Sequence, residues 1–61
     1  SGKVDLIGGR RTLAAARREG KTLTQYARSP RLSRHTLYAA RQMLRRLNGK
    51  LAAEHRPVLP A

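Results

Sequence analysis

Four polar side chains fall close together in the second half of the chain: Arg34, His35, Tyr38 and Gln42. At the helical period they share the side opposite the apolar positions Leu37, Ala40, Leu44 and Leu47. Their chemistry suits the edges of base pairs. An arginine fork bonds O6 and N7 of guanine, and a glutamine amide bonds N6 and N7 of adenine. These four are the expected base contacts of a helix lying in the major groove. Thr22, Arg31, Ser33, Arg41, Arg45 and Arg46 are the expected phosphate contacts. Taken singly, an outward arginine is usually a solvated side chain and His35 is more often a plain surface residue, and for Tyr38 the lesser alternative is a cover for the core. The joint pattern is more specific than any member.

Composition points the same way. Fourteen Lys and Arg stand against three acids in 61 residues, for a net charge of +11. Self-repulsion at that density favours a polyanionic partner. Eleven of the fourteen are arginine, whose planar fork matches phosphate and guanine better than a lysine point charge. The absence of cysteine removes disulfides and cysteine zinc sites. His35 and His55 lack metal-pair spacing, so no metal and no cofactor is expected. Three acids supply no obvious acid/base pair, and no glycine-rich phosphate loop is present, so the chain is not read as an enzyme. No apolar run approaches the ~20 residues of a membrane span. A soluble intracellular protein is expected.

Three helices must position these residues. Residues 1–9 read as a tag remnant (Ser1-Gly2) and a flexible lead-in ending at Gly8-Gly9. A first helix is expected from Arg10 to Glu19, with Gly20 as its left-handed C-terminal cap and Leu13 and Ala16 facing inward. Thr22 and Gln25 match a capping box, opening a second helix that runs to about Arg28, because Pro30 disfavours helix at Ser29. Ser33 is a favoured N-cap, with Leu32 and Leu37 as a hydrophobic staple. The recognition helix then runs over about 34–47, with Ala39 on its outward side and Met43 at the core edge. Asn48-Gly49 is its stop signal. Residues 50–61 read as a linker, partly helical at its start. The expected fold class is all-α, a small three-helix bundle with a helix-turn-helix over residues 10–49, in which Ala27 allows the two helices to cross.

The runs Arg18-Glu-Gly20, Leu23-Thr-Gln-Tyr-Ala-Arg28, Leu32-Ser-Arg-His-Thr-Leu-Tyr38 and Arg41-Gln-Met-Leu-Arg-Arg-Leu47 together resemble the helix-turn-helix of bacterial insertion-sequence transposases and their accessory proteins. The likeness covers about Arg10 to Leu47. This chain departs from that pattern at Arg31, where glycine is usual, and at Ala40, near a frequent aromatic. The resemblance implies binding to terminal or promoter DNA of a mobile element, in transposition or transcription regulation, with any catalytic domain elsewhere.

Two alternatives to sequence-specific duplex DNA binding remain. The spacing Leu37, Leu44, Leu51 suits a helical protein-interaction module or homodimer, although Gly49 argues against a long zipper and a monomer is expected without DNA. A non-specific RNA or DNA binder is the other, but Tyr26 and Tyr38 alone make a poor base-stacking platform. A membrane partner is not expected.

Overall fold

The computed structural model describes residues 4–28 and 31–61. The fold is all-α: α1 (Leu6–Arg18), α2 (Leu23–Tyr26) and α3 (Arg34–Ala53), with no strand among the described residues.

α1 begins four residues before the expected start, inside the supposed lead-in. Asp5 is its N-cap, accepting the Gly8 amide at 2.9 Å. Gly8 and Gly9 are helical despite the roughly 1 kcal/mol that glycine costs in a helix. The reason lies across the fold: Gly9 is buried, and a Cβ there would stand 2.7 Å from the Ala39 Cβ and 2.9 Å from the Ala40 amide nitrogen. Only a residue without a side chain lets α1 approach α3 this closely. At the other end Gly20 adopts φ +69°, and the Lys21 and Gly20 amides donate to the Ala16 and Arg17 carbonyls at 2.9 and 3.1 Å. This is the expected left-handed cap.

α2 is a single turn opened by the expected capping box. The Thr22 hydroxyl accepts from the Gln25 amide at 3.1 Å, and the Gln25 side chain accepts from the Thr22 amide at 3.0 Å. It ends at Tyr26, with Ala27 as C-cap, two residues short of the expected Arg28. Ser29 and Pro30, the turn before Arg31, lie outside the described residues.

α3 starts at the Ser33 cap as expected, with Leu32 and Leu37 both half-buried. It does not stop at Asn48-Gly49. The Asn48 side chain is turned to the chain's last residues: its Nδ2 donates to the Leu59 carbonyl at 2.9 Å and its Oδ1 accepts the Leu59 amide at 2.8 Å. The helix continues to Ala53 and ends in a second left-handed cap at His55, φ 57°. There the Arg56 amide donates to the Leu51 carbonyl at 2.8 Å, and Pro57 bars further helix. Residues 50–61, expected as a linker, finish α3 and fold back over it, and Leu59 packs on the core.

That core is small and aliphatic: Ala16, Leu23, Ala40 and Leu44, flanked by Leu13, Tyr26 and Leu59. Contacts between α1 and α3 advance together, from Asp5–Thr36 through Gly9–Ala39 to the Ala16–Leu44 cluster. The two helices thus run in the same sense, and α2 with its flanking turns carries the chain back between them.

Candidate nucleic-acid interface

Ser33, Thr36 and Asp5 tie the start of α3 to the start of α1. The Thr36 hydroxyl donates to Asp5 Oδ2 at 2.9 Å. Because a carboxylate only accepts, the single Thr36 proton goes there, and Ser33 must donate in its own 2.9 Å contact with Thr36 Oγ1. Ser33 Oγ also accepts the Thr36 amide at 3.1 Å. The Gly8 amide, then Thr36, and to a smaller extent Arg11, hold the Asp5 carboxyl below its ordinary value, against a weaker opposing effect of desolvation. This chain of bonds orients the helix that carries the polar face.

On α3, at about 100° per residue, that face reads Arg41, Arg34, Arg45, Tyr38, Gln42, His35 across about 120°, with Arg46 just beyond. All are exposed except the half-buried Gln42. Ala39 was expected among them but is wholly buried, since it seats against Gly9. No acid interrupts the face. Among the described residues Asp5 is committed to the two helix starts, Glu19 pairs with Lys21 at 3.2 Å, and Glu54 pairs with Arg56 at 3.2 Å.

The polar residues divide between two clefts along the sides of α3. Arg41 and Arg45 share one with Leu23, Thr24, Leu44 and Ala61. Tyr38, Gln42 and Arg46 share the other, a groove of about 830 Å³, with Val4, Leu6 and Arg10 of the α1 side and Leu13, Ala39 and Met43 beneath. Arg34 and His35 stand on the open surface at the first turn.

Of the expected phosphate contacts, Arg31, Arg41, Arg45 and Arg46 are exposed, and the Thr22 hydroxyl, which only accepts within the capping box, keeps its proton for an outside acceptor. Ser33 differs: its proton is committed to Thr36, leaving no donor for a phosphate. Two residues absent from the expected set stand at the clefts, Thr24 beside Arg41 and Arg45, and Arg10 opposite Arg46. Thr24 lies two residues after Thr22 and is detectable as an early α2 residue. Arg10 joins the site only through the packing of α1 on α3.

No cluster of three His, Asp or Glu side chains occurs among the described residues, and none of the described helices is long and apolar enough to cross a membrane. Comparison with protein-family models, curated proteins and solved structures finds no match to this chain.

Proposed function

We propose that the chain binds double-stranded DNA, with α3 lying in the major groove. One observation carries this reading: a doubly capped helix of 20 residues presents an uninterrupted arginine-rich face with histidine, tyrosine and glutamine among the arginines and no acid beside them. Arg34, His35, Tyr38 and Gln42 lie in the N-terminal half of the helix, the part that meets base edges in helix-turn-helix proteins. Arg41, Arg45 and Arg46, with Thr22 and Arg31, take the flanking phosphates. Recognition of the ends or promoter of a bacterial mobile element is the finer form of the proposal, and it rests on the motif resemblance alone.

Selection of bound sequences from random duplex DNA, followed by titration of the selected site, tests it. With about six phosphates neutralised, log affinity falls against log salt with a slope near −5. Arg34→Ala relaxes sequence preference by about 1–3 kcal/mol at one base position, whereas Arg45→Ala weakens all duplexes alike and reduces the slope by about one. A flat salt response, or equal effects of both variants on every probe, rules the reading out.

A further inference from the structure

The groove between α1 and α3 has a chemistry that DNA does not match. Its floor is Leu13 and Met43, both half-buried, and its walls include Leu6 and Tyr38, 59% and 57% exposed. Of the five large apolar side chains that the fold leaves exposed among the described residues, three (Val4, Leu6 and Tyr38) line this one groove. Arg10 and Arg46 stand at its edges. On α1 the lining residues Leu6, Arg10 and Leu13 recur at i, i+4 and i+7; on α3, Tyr38, Gln42 and Arg46 recur at i, i+4 and i+8. Because the two helices run in the same sense, these stripes form two walls roughly 12 Å long at 1.5 Å per residue.

We propose that this groove is the docking site for an acidic amphipathic helix of a partner protein. Paired helices that leave a furrow with an apolar floor accept a third helix through anchors at i, i+4 and i+7. The arginines select the partner's charge. A second copy of this chain would bring another +11 with its three acids already engaged, so self-association is opposed by repulsion. Duplex DNA would satisfy Arg10 and Arg46 but offer its sugar-phosphate surface to Leu6, Leu13 and Met43. A helix with leucines toward the floor and glutamates toward the arginines satisfies both. Tyr38 and Gln42 belong to this groove and to the polar face of α3, so such a partner also covers part of that face. The groove is argued from its own lining and does not depend on DNA binding.

The test titrates the isotope-labelled full chain, followed by amide NMR shifts, with two synthetic peptides of about three helical turns. One carries leucine at i, i+4 and i+7 with glutamate on both flanks; the other has the same residues shuffled so that no apolar stripe forms. The patterned peptide is expected to bind at least about tenfold more tightly, a difference of about 1.4 kcal/mol, with shifts concentrated at Leu6, Arg10, Leu13, Tyr38, Met43 and Arg46. Leu6→Ser and Arg46→Glu each weaken it about tenfold without lowering the melting temperature, as both side chains are exposed, and Arg18→Ala, which removes a charge outside the groove, does not. Equal affinity for the two peptides overturns the proposal in favour of charge attraction alone. Groove shifts that appear on concentrating the protein by itself overturn it in favour of a second copy. Shifts at Leu6 and Leu13 on adding duplex DNA that match those of the peptide overturn it in favour of nucleic acid.

Discussion

Asp5 carries more of this fold than its place near the start of the chain suggests. One carboxylate caps α1 through the Gly8 amide and accepts a hydrogen bond from the Thr36 hydroxyl of α3, and its ionised form strengthens both bonds. Its folded pKa is depressed. The stability that it contributes is therefore present above the ordinary aspartate value of 3.8 and is lost as pH falls through the lower folded value. Asp5→Asn keeps a good N-cap but loses the charge. Thermal melts of the two proteins are expected to differ at neutral pH and to converge only as pH falls below 3.8 towards the lower folded value; a difference independent of pH would show that the charge is idle. Two glycines offer a second contrast at this scale. Gly9→Ala drives a methyl into Ala39 and the α3 backbone, an overpacking of about 1–3 kcal/mol that outweighs the gain in helix propensity. Gly49→Ala meets nothing within 4 Å and is expected to stabilise α3 by up to about 1 kcal/mol. Opposite shifts in midpoint on denaturant unfolding check the pair.

Element boundaries separate local signals from remote ones. The Thr22–Gln25 box, the Ser33 cap and the Gly20 turn all formed where they were expected, because each bond joins residues within a few positions of one another. Asn48-Gly49 carried an equally good local signal and no helix ended there. Asparagine terminates a helix only when its side chain or a left-handed backbone is used for capping, and the Asn48 amide is instead bonded to Leu59, eleven residues on. Replacing it tests the assignment. Asn48→Ala removes two hydrogen bonds worth about 0.5–1.5 kcal/mol each, and should free the last residues, raising amide exchange at Leu59 while leaving α3 helical. Unchanged protection at Leu59 would mean that packing alone holds the tail. The start of α1 was obscured for a related reason. Gly8-Gly9 reads as a break, and only the close approach of Ala39 turns Gly9 into a requirement.

At the scale of the whole molecule, charge and size oppose each other. The Cα atoms span 34 × 28 × 14 Å, and the shortest dimension accommodates about two helices at the usual 8–10 Å separation. A body so thin buries only a few aliphatic side chains, none of them large and fully enclosed, against the repulsion of a net +11 charge. Raising salt screens that repulsion over a Debye length of about 10 Å at 0.1 M, so the melting temperature is expected to rise from low to moderate salt. Duplex DNA at low salt should raise it further, by linkage to the folded state. A melting temperature that falls with salt would place the balance in attractive pairs instead. Sequence by itself determined the all-α class, the starts of α2 and α3, the charge, and the polar stripe of Arg34, His35, Tyr38, Gln42 and the neighbouring arginines, because composition, caps and helical period act over a turn or two of chain. Tertiary structure alone decided that Ala39 belongs to the core, that Ser33 gives its proton to Thr36, that Leu59 closes the fold, and that Arg10 and Leu6 join Tyr38 across a groove. Each of those depends on which residues of α1, α3 and the tail come to lie side by side, a relation set by packing between segments tens of residues apart and carried by no single stretch of the chain.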